Sequence, residues 1–239
     1  PIYLAEVMTA LGGASAVRTL VQAAGRTVDA MAGSGWTSLT PASGSSTTWA
    51  AGVLTLAIPT LTNALSASGV YDGDYLGDDE SYDFMCRVDV VAGDAVIHGN
   101  LILWAGHGVA LGSPTDGILF ILNSSGTVEV AYKSASSDTS LLSATAGPDA
   151  GQRTGGNLWL RITRSPTALA CHWGVGTAGA VPTSSQWTTV YAGSNATALN
   201  VSRGYGARVD INTFDGGISG GYTVDVLAIR ARAQNSAPL

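Results

Sequence analysis

Aromatic and polar residues around the WAGHG turn have the chemistry of a sugar-binding site. Trp104 and His107 flank this turn, and Tyr132 follows in a neighbouring strand-like segment, which predicts an aromatic ledge. Sugars stack the apolar faces of their rings on such side chains, while carboxylates such as Asp116 hold their hydroxyl groups. The sequence therefore predicts a glycan-binding site at Trp104, His107, Asp116 and Tyr132. The alternative is that Trp104 fills the core at the end of a strand.

The most acidic stretch, YDGDYLGDDESYD at residues 71–83, has carboxylates that suit a hard cation. Oxygen ligands of this kind are the ones that Ca²⁺ prefers. The stretch does not match an EF-hand loop, because Leu76 stands where an oxygen ligand belongs and no glutamate closes the loop. No cofactor is expected other than Ca²⁺, and the alternative is a solvated acidic turn. The candidate ligands are Asp72, Asp74, Asp78 and Asp79.

Histidine and cysteine spacing does not indicate a zinc or nucleophile site. His98, His107 and His172 are too far apart in sequence to predict zinc. Cys86 and Cys171 each lie in an alternating apolar stretch, which predicts two buried free thiols. A disulfide between these two cysteines is the alternative that the sequence leaves open.

Charge and composition exclude two classes of partner. The chain has 239 residues, a formal net charge of −6 and only 11 basic residues, of which Lys133 is the single lysine. These basic residues are scattered and form no run, so neither a nucleic-acid surface nor a polybasic membrane patch is expected. No apolar run reaches the length of a membrane span, and no signal peptide is recognisable.

The elements that must position these residues are β-strands. In YDFMCRVDVVAG, residues 82–93, apolar side chains alternate with polar ones, so Phe84, Cys86 and Val88 share one face. Similar strands recur about every dozen residues with turn residues between them. Two of the turns are at 123–126 and 165–167, where Gly and Pro set the backbone. The sequence predicts an all-β, antiparallel β-sandwich or jelly roll.

The segment GGNLWLRITRSPTALACHWGVG, residues 155–176, reads as two such strands around a turn. Alternation places Leu158, Leu160 and Ile162 in the core and Trp159 and Arg161 on the other face. In the strand after the turn, alternation places Leu169, Cys171 and Trp173 in the core. His172 then lies on the outer face.

Residues 1–35 differ from the rest of the chain. Tyr3, Ala5 and Val7 alternate as a strand would, whereas Val17, Leu20 and Val21 fit a helical stripe. Periodicity does not decide between helix and strand for residues 2–30. We expect residues 1–35 to be a docking or assembly segment and residues 36–239 to be the β-sandwich domain.

Four segments resemble the concanavalin A-like and laminin G-like sandwich family, and the resemblance covers about residues 36–233. The segments are GNLWLRITRSPTALACHWGVG, SSQWTTVY, DGILFILNSSGTVEVAYK and FDGGISGGYTVDVLAIRA. The resemblance implies a lectin-like jelly roll that binds carbohydrate. Members of this fold that hydrolyse glucans carry an E-x-D-x-x-E motif along one strand, and this motif is absent. Only Glu6, Glu80 and Glu129 are glutamates, so no enzyme activity is expected.

The segment PIYLAEV…SAVRTLVQAAGR resembles the start of small tail-associated proteins of tailed bacteriophages. This resemblance implies a virion structural protein of the tail tip, baseplate or fibre, made in the bacterial cytoplasm and located on the virion. Residues 1–35 would dock it to other virion proteins, copies would assemble as a homo-oligomer, and the sandwich would bind host-surface glycan. The alternatives are a capsid decoration or head-fibre protein without glycan binding, and a carbohydrate-active enzyme or free lectin.

Overall fold

The structure of the chain is a computed structural model. It describes the residues 26–28, 37–38, 44–50, 52–59, 61–62, 67–72, 81–92, 99–106, 114–203, 206–213, 217–218 and 221–233. His98, His107 and most of residues 1–35 lie outside the described residues.

Strands dominate the described part of the chain. In chain order they are β1 (Arg26–Val28), β2 (Thr37–Ser38), β3 (Ser46–Ala50), β4 (Val53–Ile58), β5 (Leu61–Thr62), β6 (Ala67–Asp72), β7 (Tyr82–Ala92), β8 (Gly99–Gly106), β9 (Gly117–Asn123), β10 (Thr127–Ser134), β11 (Ser137–Ala146), β12 (Leu158–Arg164), β13 (Leu169–Val175), β14 (Trp187–Gly193), β15 (Gly206–Thr213), β16 (Gly217–Ile218) and β17 (Tyr222–Ala233). The helices are α1 (Ala150–Arg153), a 3₁₀ turn (Ser184–Gln186) and α2 (Ala196–Val201). None of the described helices is long and apolar enough to cross a membrane.

These strands form two antiparallel sheets, which confirms the predicted all-β, antiparallel sandwich. The eight-stranded sheet has the order β14-β13-β12-β7-β17-β4-β3, and β1 pairs with β17 beside this path. The seven-stranded sheet has the order β11-β10-β9-β8-β15-β6-β2. The short strands β5 and β16 pair with each other.

Inward-facing side chains of both sheets meet in one hydrophobic core. The predicted inward residues of β7 and β12 are buried in it, and Trp173 is half-buried and packs against it, so the predicted faces of these strands are confirmed. Full burial of such an aliphatic side chain stabilises a fold by roughly 1.5–3 kcal/mol. The seven-stranded sheet contributes, among others, Leu101, Leu103, Phe120, Val209 and Ile211.

Two predicted turns join neighbouring strands. Between β9 and β10, the Gly126 N–H donates to the Asn123 carbonyl at 2.8 Å, and Gly126 has a φ of +89°. A residue with a side chain is disfavoured at that angle, which explains the glycine. Between β12 and β13, the Ser165 N–H donates to the Ala168 carbonyl at 2.8 Å, around Pro166. Both hairpins are therefore confirmed.

The two cysteines are buried and free, as predicted. Cys86 lies on β7 and Cys171 on β13, and β12 separates these two strands in the sheet. Burial raises the pKa of both thiols well above the ordinary value. They are therefore protonated core side chains with low nucleophilicity.

Residues 26–28 are the described part of the N-terminal segment. They form β1, in which Arg26 pairs with Ala231 and Val28 with Ile229 of the last strand. The remainder of residues 2–30 lies outside the described residues, so the question of helix or strand stays open there. The division at residue 35 stays a prediction.

Candidate functional site

Trp104, the centre of the predicted glycan site, is a buried side chain. It lies on β8 on the outer face of the seven-stranded sheet and is only 4% exposed. Its indole N–H donates to Asp210 Oδ1 at 3.1 Å. The guanidinium carbon of Arg208 lies 5.6 Å from the ring centre and Lys133 Nζ lies 5.8 Å from it. In this arrangement, the ring has no open face on which a sugar could stack.

The structure describes two of the other predicted glycan residues, Tyr132 and Asp116. Tyr132 is half-buried and packs against the main core, on the opposite side of the seven-stranded sheet. Asp116 precedes β9 and accepts a hydrogen bond from the Ala135 N–H at 3.1 Å. His107 lies outside the described residues. The glycan-binding role of these four residues stays a prediction.

An ion pair holds Trp104 in place. Arg208 Nε donates to Asp210 Oδ2 at 2.8 Å, and both residues are almost fully buried. Burial raises the pKa of Asp210, while the positive charge of Arg208 and the indole N–H of Trp104 oppose that shift. Gly69 pairs with Asp210 on the neighbouring strand, where a Cβ would lie 2.4 Å from Asp210 Cβ. We therefore assign this group a structural role.

Most of the acidic stretch at residues 71–83 lies outside the described residues. Asp72 ends β6, whereas Asp74, Asp78 and Asp79 are not among the described residues. Across the residues that the structure does describe, no group of three or more His, Cys, Asp or Glu side chains could hold a metal ion. The Ca²⁺ ligands therefore stay a prediction.

A second polar and aromatic group lies on the outer face of the eight-stranded sheet, and we call it the Trp187 face. It consists of Asp83, Arg161, His172, Gly174 and Trp187. Trp187 begins the edge strand β14 and pairs with Gly174 of β13. A Cβ on Gly174 would lie 3.0 Å from Trp187 Cε3, so the absent side chain makes room for the indole. Trp187 is half-buried, which leaves part of its surface accessible.

Arg161 lies beside the indole and is oriented by a carboxylate. Its Nε and Nη2 atoms donate to the two carboxylate oxygens of Asp83 at 2.7 and 2.5 Å. Its guanidinium carbon is 5.1 Å from the centre of the Trp187 ring, within cation–π distance. Nη1 makes no hydrogen bond with the described residues. It can therefore donate to a ligand.

His172 completes the face from the strand between Arg161 and the edge. Its Nδ1 lies 2.9 Å from the Thr189 hydroxyl, and its Nε2 lies 3.3 Å from the Thr163 hydroxyl. The ring meets Trp187 edge-on, with centroids 6.3 Å apart. Partial burial lowers the pKa of His172, the positive charge of Arg161 lowers it further, and Asp83 partly offsets these effects. His172 is therefore neutral at pH 7.

The Trp187 face has the parts that a small polar ligand with an apolar side needs. The indole offers a stacking surface, Arg161 a free donor, and the exposed Thr189 a hydroxyl at the rim. Alternation along the strands placed Arg161 and His172 on this face in the sequence analysis. That reasoning missed Asp83 and Trp187, because their proximity depends on which strands pair and in which register.

The chain was compared with known families, proteins and structures. No protein-family model matches it, and no curated protein sequence matches it significantly. The solved structures give matches. The exoplasmic/lumenal domain of VIP36 in its Ca²⁺/Man2-bound form has a TM-score of 0.57 at 11% identity, covering 86% of this chain and 83% of that one.

Two further solved structures also match the fold of this chain. The carbohydrate recognition domain of Emp46p, in its potassium-bound form, has a TM-score of 0.53 at 9% identity and covers 84% of this chain and 90% of that one. Arcelin-5, a lectin-like defense protein from Phaseolus vulgaris, has a TM-score of 0.52 at 10% identity, with 88% and 98% covered.

This comparison corrects one prediction. The predicted location on a virion is wrong, because VIP36 is represented by an exoplasmic/lumenal domain and none of the three structures is described as a virion component. The bacteriophage part of the sequence resemblance likewise finds no support. The concanavalin A-like part is confirmed at the level of fold. This chain has a β-sandwich fold similar to the folds of these three structures.

Proposed function

We propose that this chain is a carbohydrate-binding module and acts as a lectin, the last of the alternatives raised by the sequence. The fold supports this, because similar sandwiches are described as a carbohydrate recognition domain and as a mannose-bound lumenal domain. The observation that carries the proposal for this chain is the half-buried Trp187 indole with the Arg161 guanidinium carbon 5.1 Å from its ring centre. A fold hosts many functions, so the site rather than the likeness must supply the argument.

In the proposed complex, the apolar face of a sugar ring stacks on Trp187. Arg161 Nη1 donates to a ring or hydroxyl oxygen, and Asp83 holds the guanidinium in position from the other side. Side chains that are already ordered by such contacts lose little conformational entropy when the ligand binds. The Trp187 face is therefore a preorganised site for a saccharide.

The proposal includes binding without chemical conversion. Glycoside hydrolysis uses two carboxyl groups that flank the scissile bond. On the Trp187 face, as far as the described residues show, Asp83 is the carboxylate, and Arg161 binds both of its oxygens. Neither oxygen is positioned as a proton donor or nucleophile.

Binding at the Trp187 face should not require Ca²⁺, although VIP36 is described in a Ca²⁺-bound form. Asp83 is the one carboxylate of the face and is already paired with Arg161. Ca²⁺ takes six to eight oxygen ligands. Excess EDTA is therefore expected to leave the saccharide affinity unchanged in calorimetry. Loss of binding in EDTA that added Ca²⁺ restores would instead favour the acidic stretch at Asp72, Asp74, Asp78 and Asp79.

The test of the proposal is a glycan array followed by calorimetry on Trp187→Ala. We expect about a tenfold or larger loss of affinity, since an aromatic ring in a binding site contributes about 1.4 kcal/mol or more. Trp187→Phe, which retains an aromatic plane, should keep most of the affinity.

The control for the site predicted from sequence is Trp104→Phe, which retains an apolar ring in the buried position. If this variant loses binding while its melting temperature is unchanged and Trp187→Ala binds normally, the ligand site lies at Trp104. In that case the Trp187 face is not the site.

A further inference from the structure

Arginines are concentrated on the outer face of the eight-stranded sheet. Arg161 of β12 and Arg230 of β17 both pair with Met85, from opposite sides of β7. Arg87 is two residues further along β7. Strands lie about 4.8 Å apart and residues rise about 3.3 Å, so the three backbone positions fall within roughly 10 Å of one another. The Trp187 face thus continues into a row of three arginines.

Two of these arginines have no carboxylate partner among the described residues. Arg230 is exposed, and its guanidinium carbon lies 5.2 Å above the ring centre of Trp159. Arg87 Nε is buried without an acceptor, and a Cβ on Gly179 would collide with the Arg87 guanidinium. Within the described residues, neither side chain forms a salt bridge.

Other described carboxylates on the outer face of the eight-stranded sheet, beyond the Trp187 face, accept from other donors. Asp89 Oδ1 accepts from the Gly155 N–H at 2.9 Å, and Asp225 Oδ1 accepts from the Thr55 hydroxyl at 2.6 Å. Asp83 is bound to Arg161. The three aspartates thus equal the three arginines of this face in number, but within the described residues none of them is paired with Arg87 or Arg230.

We propose that the saccharide bound at the Trp187 face is anionic, with sulfate or carboxylate groups that Arg87 and Arg230 bind. This inference rests on the proposed function and specifies its ligand class. A planar guanidinium binds such oxygens in pairs, with hydrogen bonds that are stronger than those to neutral groups. The guanidinium carbons of Arg161 and Arg230 lie 5.1 and 5.2 Å from the ring centres of Trp187 and Trp159. A row of three arginines on an acidic chain is too short for a nucleic-acid surface, which needs many phosphate contacts.

The experiment is calorimetry on the full chain with matched pairs of probes. One pair is a heparin-derived oligosaccharide and its desulfated counterpart, and the other is an oligogalacturonate and its methyl ester. At least one anionic probe should bind about tenfold more tightly than its neutral counterpart, with an affinity that falls as salt rises. Arg230→Gln should remove most of that difference and leave binding of the neutral probe unchanged.

The matched control is Arg203→Gln, which removes the same charge from an exposed residue just after α2. Equal affinity for charged and neutral probes, or an equal effect of the two variants, would overturn the anionic ligand and leave the proposed function intact. If the wild-type chain binds none of the saccharides, on the array or in calorimetry, both proposals fail. A single-stranded oligonucleotide with the same charge as the anionic saccharide is then added as a competitor. If it displaces that saccharide, the arginines bind polyanions in general, which also contradicts the inference.

Discussion

At the level of single residues, the Arg208–Asp210 pair contacts the buried Trp104 indole. Asp210 accepts a hydrogen bond from the Trp104 indole N–H and another from Arg208 Nε. Moving two charged groups out of water costs free energy, and their mutual attraction offsets that cost only while they stay paired. Trp104, the residue around which the sequence predicts a sugar site, is thus bound to a buried ion pair in the structure.

We expect Asp210→Asn to lower the free energy of unfolding by about 3–5 kcal/mol, because it removes the charged carboxylate to which the buried Arg208 guanidinium donates. Urea denaturation followed by circular dichroism measures this. The matched control is Asp138→Asn, whose carboxylate is 3.5 Å from Lys133 Nζ but 61% exposed. An exposed pair of this kind contributes less than about 1 kcal/mol. Equal losses in the two variants would contradict the structural role of Asp210.

His172 predicts a pH dependence of stability. Its pKa in the folded chain is lowered from 6.5 by partial burial and by Arg161. The fold therefore favours the neutral ring. This stabilisation is complete above pH 6.5 and is lost as the pH falls towards the lower folded-state pKa.

Replacing His172 by Gln removes the titrating group and retains a polar side chain. Between about pH 7 and pH 5, the melting temperature of the wild type should fall further than that of His172→Gln. Thr145→Ala, an exposed change on β11, should follow the wild type. If the melting temperatures of the wild type and His172→Gln change in parallel with pH, the imidazole has the same pKa in the folded and unfolded states.

At the level of elements, the edge of the eight-stranded sheet is shaped by small residues in β13. Gly174 is buried beneath Trp187 and Pro182, whose Cγ would lie 3.1 Å from a Cβ at this position. Trp187 and Thr189 pair with Gly174 and His172 and face outwards with them, and the bulge between Cys171 and His172 then places Tyr191 opposite the inward-facing Cys171. A strand with an ordinary side chain at residue 174 could not hold the indole in this position.

Gly174→Ala should therefore weaken saccharide binding by several-fold while the fold persists. A Cβ there meets the backbone oxygen of Gln186 at 2.8 Å, so the start of β14 must move, and overpacking of this kind costs about 1–3 kcal/mol. Calorimetry with the array-identified saccharide measures the affinity. Gly151→Ala in α1 is the control, since its Cβ would have only an ordinary contact at 3.5 Å from Asp149. Unchanged binding by Gly174→Ala would show that the indole does not contact the ligand.

At the level of the whole molecule, the last strand ties the N-terminal segment to the sandwich. β4 pairs with the first half of β17, and β1 pairs with residues 229–231 beyond it. The strand β1 therefore covers a length of β17 that β4 does not reach. Residues 26–28 belong structurally to the larger sheet, although the sequence analysis grouped them with the docking segment.

This pairing predicts different outcomes for two truncations. Removing residues 1–24 keeps β1 and should leave the melting temperature nearly unchanged. Removing residues 1–35 deletes β1 and exposes backbone groups of β17 beside Arg230, so we expect a lower melting temperature. Light scattering on both truncations tests whether the segment mediates self-assembly. Equal melting temperatures would mean that β1 contributes nothing to the sandwich.

The sequence by itself determined the class of the fold and the face of many side chains. Alternation has a period of two, so Phe84, Cys86, Leu160 and Arg161 could be assigned to a side of the sheet without any knowledge of their neighbours. The turns at 123–126 and 165–167 were equally local, because Gly126 and Pro166 set their own backbone angles. These features follow from residues that are close together in the chain.

Only the tertiary structure decided which of those faces is accessible and what meets there. Asp83 and Arg161 are 78 residues apart, and they pair because β7 and β12 are neighbours in a particular register. Trp104 and Trp159 are both on outer faces and yet buried, because burial there depends on what packs over the sheet. A turn fixes the register within a hairpin, whereas β7 and β12 are far apart in sequence, so their pairing depends on long-range contacts that no local pattern encodes.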